Sequence, residues 1–162
     1  MAYSSARPTD EIEEILENYG DMLFRICLVI LKNESDAEDA VQDTIIRYMQ
    51  KAPAFESSGH EKAWLIKVAA NRCRDMQRFA GRFIPLDREM LHGYVTAPES
   101  SGIIEALMSL PEKFRVVLTL HYVEECSVRE IAGIIGKTES AVKMRLQKGR
   151  RLREEKYRKE YL

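Results

Sequence analysis

The stretch SVREIAGIIGKTESAVKMRLQKGRRLR, residues 127–153, permits very few local structures. Ser127 followed by Glu130 is a capping box, each side chain satisfying a backbone N–H at a helix start. Val128, Ile131, Ala132 and Ile135 then recur at helical spacing and give one apolar face. Gly136 stands where a left-handed residue ends that helix without a Cβ penalty. Thr138 suits the N-cap of a second helix and Glu139 its positive end, with Ala141, Val142, Leu146 and Leu152 on the buried side. Ala132, Gly136 and Val142 also meet the needs of a helix-turn-helix: a small residue where the helices touch, a glycine in the turn, a branched residue beneath the second helix. Such a unit offers its second helix to a major groove. The alternative is an ordinary αα-hairpin with a solvated basic face.

The formal charge is only −1, but its distribution is uneven. Residues 1–60 hold 5 Lys/Arg against 12 Asp/Glu, and residues 61–82 hold 6 against 2. Residues 83–126 hold 3 against 7, and residues 127–162 hold 11 against 5. Two basic blocks separated by acidic ones predict two nucleic-acid surfaces, with acidic faces left for another partner. Simple solvated faces would explain any single block but not the arrangement.

Other function classes find little support. No apolar run approaches the roughly 18–20 residues that span a bilayer, and MAYSSARPTDEIEE lacks the apolar core of a signal peptide. The expectation is a cytoplasmic protein without membrane insertion. Cys27, Cys73 and Cys126 form no C-x-x-C pair; Cys27 and Cys73 fall in apolar helical patterns and read as buried free thiols. His121, Glu125 and Cys126 imitate metal ligands only crudely. No nucleophile–base pair and no phosphate-cradling glycine loop occurs, so no catalytic residue, metal or cofactor is expected.

The rest of the chain reads as helices. Ile12, Ile15, Leu16, Tyr19, Leu23, Ile26, Cys27 and Ile30 pattern a long amphipathic helix over 9–32. SDAE, residues 35–38, predicts a capping box opening a helix with Ala37, Val41, Ile45 and Tyr48 inward. Residues 52–60 are a loop, after which Ser58 and Glu61 are expected to cap a third helix. That helix should turn Trp64, Leu65, Val68 and Met76 inward and Lys67, Asn71, Arg72, Arg74 and Arg78 outward. Pro85, Gly93, Pro98 and Gly102 mark a linker. Beyond it, apolar residues from Ile104 to Leu120 build two helices joined at LPEK, with Pro111 suited to a first helical turn. The fold class expected is all-α: two small helical domains, 1–80 and 103–162, on a flexible linker, 81–102, the second domain containing the helix-turn-helix.

With both halves in view, the chain resembles the sigma-70 family of bacterial transcription initiation factors, and within it the compact extracytoplasmic-function group. SDAEDAVQDTIIRYMQKAPAF is similar to that family's D-A-E-D-x-x-Q-E-x-F segment. KAWLIKVAANRCRDMQR is similar to its W-L-x-x-I-A-x-N-x-x-x-D stretch, and LPEKFRVVLTLHYVEECSVREIAGIIGKTESAVKMRLQKGRRLRE to its second domain. The resemblance covers most of residues 10–80 and 103–155. It implies an alternative sigma factor that binds bacterial core RNA polymerase and directs promoter-specific initiation.

Several residue roles follow from the resemblance alone. Asp36, Asp39, Gln42 and Asp43 would face the clamp helices of the largest polymerase subunit. The third helix and the loop before it would read the single-stranded minus-ten element. Phe55 and Asn71 fall at matching positions, Ser57, Ser58 and His60 lie on the loop rim, and Lys67 and Arg74 on the basic face. Phe55 reads equally as a core plug, and Asn71 as a surface amide. In the second domain Lys143, Met144, Arg145, Gln147 and Lys148 would face the minus-thirty-five element, with Thr138, Ser140 and Arg150 placed for phosphates. Family members are often held inactive by an anti-sigma protein, so such a partner is expected as well. The rival readings are a transcription regulator with an N-terminal ligand-binding or dimerisation domain, and a helical adaptor that binds only protein.

Overall fold

A computed structural model describes residues 9–79 and 106–161; the linker expected over 81–102 lies outside them. The chain divides into two compact units, Met1–Ile84 and Pro85–Leu162. Among the described residues every regular element is helical.

In the first unit, α1 (Thr9–Leu31), α2 (Glu34–Lys51) and α3 (Ser58–Phe79) each pack against the other two. The core is built from Leu23, Ile26, Cys27 and Ile30 of α1, Ala37, Ala40, Ile45 and Tyr48 of α2, and Leu65, Ile66, Ala69 and Cys73 of α3. Small residues on α2 and α3 let the helix axes approach, while the long aliphatics of α1 fill the space between them. Thr44 is fully buried, and its hydroxyl is satisfied by donating to the Ala40 carbonyl at 2.7 Å. Cys27, Cys73 and Cys126 are all buried free thiols.

Two expected caps move toward the N-terminus. Asn33, not Ser35, caps α2: its backbone is extended and its side-chain oxygen accepts the Asp36 N–H at 2.9 Å. Asparagine is as good an N-cap as serine, so the helix starts at the first capable residue after α1 ends. Lys32 makes that ending possible by adopting left-handed backbone (φ 54°) and donating its N–H to Leu28. On α3, Ser58 is the first helical residue rather than the cap. The Ser57 hydroxyl accepts the His60 N–H at 3.1 Å, and Glu61 turns away to meet Tyr48. The buried face of α3 runs through Leu65, Ile66, Ala69, Ala70 and Cys73, leaving Trp64, Val68 and Met76 half-buried at its edges. On α1, Leu16 is exposed.

The second unit contains α4 (Glu112–Leu118), a π-helical turn (Thr119–Val123), α5 (Val128–Ile135) and α6 (Glu139–Tyr161). Residues 106–108 are also helical and end just before Pro111, which sits at the N-cap position of α4. The Arg115 guanidinium is buried there, donating to the Leu110 carbonyl at 3.0 Å, with Glu112 at 3.9 Å. Burial lowers the Arg115 pKa from its ordinary value, against the opposing pull of Glu112. Continuous periodicity suggests an unbroken helix here. Instead Glu124 donates to Thr119, five residues back, widening the helix for one turn.

Local signals in the helix-turn-helix act as its sequence requires. The Ser127–Glu130 capping box is closed in both directions, at 3.1 and 2.8 Å. Gly136 is left-handed (φ 69°), and Thr138 accepts the Ala141 N–H at 3.1 Å. Ile131, Ala132, Val142 and Leu146 are buried, fixing α5 against α6.

Candidate nucleic-acid interface

The recognition surface begins with what α6 hides. Val142, Leu146 and Gly149 face inward, and a Cβ on Gly149 would sit 3.2 Å from Leu118 and 3.3 Å from Phe114. With 100° per residue, that buried side turns Ser140, Lys143, Met144, Gln147 and Arg151 outward. All five are exposed, Met144 by 70%. An unbranched apolar side chain so exposed, amid cations and amides, has no packing role and stands ready for apolar contact. Among the described residues no carboxylate pairs with Lys143, Lys148 or Arg151.

Arg145 behaves differently from its neighbours. It is half-buried on the flank nearest α4, lining an open groove of about 360 Å³ with Lys113, Phe114, Met144, Gln147, Lys148 and Arg151. The ammonium groups of Lys113 and Lys148 lie 5.1 and 5.7 Å from the Phe114 ring centre, within cation–π range. Arg150 sits on the opposite flank, donating to the Tyr122 hydroxyl at 2.7 Å, while Tyr122 stacks edgewise on His121. The His121 ring is itself bonded to the Cys126 carbonyl at 2.9 Å. No group of three or more metal-capable side chains occurs among the described residues. Thr138 spends its hydroxyl on the helix cap, and Ser140 is free to face outward. Lys113, Arg151 and Tyr122 are absent from the sequence-derived set. The outward phase of α6 could have found Arg151; Lys113 and Tyr122 come from other helices.

The first unit presents a loop and a helix face. Phe55 is half-buried in an aromatic cluster, with ring centres 6.1 Å from Tyr48, 5.8 Å from Trp64 and 5.2 Å from His60. Tyr48 is the floor of this cluster; its hydroxyl lies 2.9 Å from Glu61 and 3.3 Å from Glu11. Burial, with the Glu61 carboxylate beside it, raises the pKa of the Tyr19 phenol. Ser57, Ser58 and His60 are exposed on the loop rim. The structure therefore brings Phe55, Ser57, Ser58 and His60 together. Lys67 and Asn71 continue the His60 face along α3, with Asn71 three turns away, about 16 Å at the helical rise. Asn71 accepts from Arg74 at 3.1 Å and lines a second groove, of about 530 Å³, between α2 and α3.

That groove also holds Asp43, Ile46, Arg47, Gln50 and Arg72. Asp43 is bound to Arg72 at 2.6 Å, a cross-helix tie that sequence spacing does not reveal. Asp39 and Gln42 are exposed on the same side of α2, Asp36 is half-buried, and Ile46 adds an apolar centre at 48% exposure. Acidic groups therefore surround an exposed isoleucine here, with Arg47 and Arg72 lining the same groove.

Comparison with known proteins assigns a family to the chain. Residues 15–83 match the family description "Sigma-70 region 2", and residues 101–152 match "Sigma-70, region 4". The chain is 28% identical over 160 residues to the ECF RNA polymerase sigma factor SigW of Bacillus subtilis, covering 87% of this chain and 86% of the relative. SigM of Bacillus subtilis is 28% identical over 148 residues, covering 86% and 90% respectively. In fold, the chain is similar to the sigma factor RpoE of Bartonella quintana, solved with the anti-sigma factor NepR (TM-score 0.70, 22% identity, 93% and 98% covered). It is also similar to CnrH, solved with the cytosolic domain of CnrY (TM-score 0.66, 22% identity, 91% and 87% covered). Two helical units, matching regions 2 and 4 in order and shared with relatives across most of their length, place this chain in the sigma-70 family, within its extracytoplasmic-function group.

Proposed function

We propose that the chain is an alternative sigma factor that binds bacterial core RNA polymerase, directs it to a narrow set of promoters and performs no catalysis itself. One observation carries the residue-level reading: α6 shows an uncompensated cationic stripe on a capped helix-turn-helix, while α2 shows acids around an exposed isoleucine. The first suits duplex DNA and the second a basic protein surface. Lys143, Met144 and Gln147 contact base edges of the minus-thirty-five element, with Arg145 at the side of that contact. Ser140, Lys148 and Arg150 meet phosphates, and the Thr138 cap aims the helix start toward the backbone. Asp36, Asp39, Gln42 and Asp43 form the polymerase-docking stripe.

The loop carrying Phe55 and Ser57, with Ser58 and His60 in the first turn of α3, receives a base from the melted minus-ten strand, and Lys67, Asn71 and Arg74 accompany that strand along α3. Stacking and edge recognition of a single extruded base need this combination of aromatic wall and polar rim. Among the described residues no helix is long and apolar enough to cross a membrane, which accords with action in the cytoplasm. RpoE and CnrH were each solved with a binding partner; an anti-sigma protein is accordingly the regulator we assign to this chain.

Pull-down with core polymerase in the absence of DNA tests the assignment, followed by transcription from a promoter library. Retention on polymerase with promoter-dependent transcripts is the expected result. DNA binding without polymerase retention would point to an ordinary helix-turn-helix regulator instead.

A further inference from the structure

Where the loop after α2 meets the first turn of α3, a hydrogen bond fixes the chemistry of the rim. The Glu56 backbone N–H donates to His60 Nδ1 at 3.2 Å. An imidazole nitrogen that accepts must carry a lone pair, so in the neutral ring the proton resides on Nε2. The ring cannot easily reverse this choice. Its backbone is held because the His60 N–H donates to the Ser57 hydroxyl, and its face is held edgewise against Phe55, 5.2 Å between centres. His60 is exposed, and no other described residue bonds to its ring. His60 thus presents an N–H donor of fixed position beside an aromatic wall made by Phe55, Tyr48 and Trp64, whereas the neighbouring Ser57 and Ser58 hydroxyls can donate or accept.

We propose that His60 is a specificity-determining residue, whose Nε2–H selects, at one position of the single-stranded element, a base presenting a hydrogen-bond acceptor to the loop rim. This rests on the minus-ten reading of the loop given above and adds to it the polarity of the contact. Phe55 supplies a stacking surface that tolerates any base, so discrimination falls to the edge contact. A donor-only group rewards an acceptor and leaves an opposing amino group unpaired, which is where the selectivity arises.

Two substitutions divide the ring's functions. His60→Asn places an oxygen where Nδ1 lies, preserving the bond from Glu56, but removes the outer donor. His60→Gln reaches the outer position with an amide N–H and gives up the inner acceptor. Holoenzyme assembled from core polymerase and the full chain is assayed on promoters randomised across the downstream element. His60→Asn should flatten preference at one position by about three- to tenfold, the worth of a neutral hydrogen bond, and leave the others unchanged. His60→Gln should keep the same preferred base with weaker discrimination. Long-range proton–nitrogen correlation spectra of the free chain should report Nδ1 as the unprotonated nitrogen. Unaltered preference in His60→Asn, a different preferred base in His60→Gln, or a protonated Nδ1 with bare Nε2 would each overturn the proposal. Phe55→Leu separates the underlying reading: if it leaves preference across the whole element unchanged, the loop does not receive a base at all.

Discussion

On α3 the Arg72 guanidinium reaches Asp43 of α2 and the Tyr48 hydroxyl reaches Glu61, whereas on α6 Lys143, Lys148 and Arg151 find no carboxylate among the described residues. Each unit carries a basic helix, α3 in the first and α6 in the second, yet the two are treated differently. The first ties part of its positive charge to its own acids, so its surface is mixed and suited to recognition of shape. The second pairs Arg158 with Glu154 at the far end of α6 but leaves Lys143, Lys148 and Arg151 to repel one another, a modest cost in stability that favours any partner bearing closely spaced phosphates. The lesson is that net charge says little about nucleic-acid binding; what matters is which cations the fold itself has already neutralised.

The largest test asks whether the two units stand apart energetically. Leu23 is fully buried in α1, and Leu23→Ala should cost about 2–5 kcal/mol of the first unit's stability. Amide hydrogen exchange should show lost protection in α1–α3 alone. Loss in α4–α6 as well would mean one cooperative body, and the contrast between units would dissolve.

Next in size is the docking stripe. Asp39→Arg places positive charge at an exposed α2 position without touching the core, and should weaken core-polymerase binding by several kcal/mol, on the order of 3. Competition against an unmodified sigma factor measures it, and equal affinity would remove the stripe from the interface. On the other unit, Lys143→Ala should cost holoenzyme about 1–3 kcal/mol on promoter DNA and relax preference at one upstream position. Arg150→Ala should weaken all promoters alike and lower the salt slope by about one unit. If Lys143 also behaves as a uniform, salt-only contact, the outward stripe of α6 does not read bases.

Smaller effects probe the backbone and the tie. Glu125 occupies left-handed backbone, φ 59°, at the end of the π-helical turn. Glu125→Gly should raise the second unit's stability by about 1 kcal/mol, since only glycine holds that conformation without a Cβ penalty. Urea unfolding of the chain checks the sign. The Asp43–Arg72 pair is more than two-fifths exposed on both sides, so a double-mutant cycle should return only about 0.2–1 kcal/mol, shrinking with salt. A larger coupling would make the tie a structural element of the first unit rather than a charge-neutralising one.

How much of this was legible in sequence differs between the units for the same physical reason. Ser127, Glu130, Gly136 and Thr138 act within four residues of themselves, so their spacing alone foretells their bonds. The first unit depends on partners far apart in the chain, such as Arg72 with Asp43 or Phe55 with Tyr48, which no local rule reaches. Its caps shifted from Ser35 to Asn33 and from Ser58 to Ser57 because several adjacent residues could serve, and α1 and the loop decided among them. The π-helical turn left no trace in the apolar pattern. Arg145 shows the limit at a site: its type suggests an outward reader, but the phase set by Val142, Leu146 and Gly149 turns it to the flank.

Gly149 touches no proposed ligand, yet it governs where the reading side chains stand. A methyl group there would press on Leu118 and Phe114 and push α6 off α4 by a few tenths of an ångström. The helix is stiff, so that displacement would be carried about 3 Å along its axis to Gln147 and about 7.5 Å to Met144. Replacing a helical glycine also strengthens the helix itself by up to about 1 kcal/mol, offsetting some of the crowding. A lineage that drifts at this position would therefore keep a folded protein while its set of recognised promoters wandered. A change of promoter choice would then originate beneath the proposed recognition helix, in a residue outside the proposed DNA contacts.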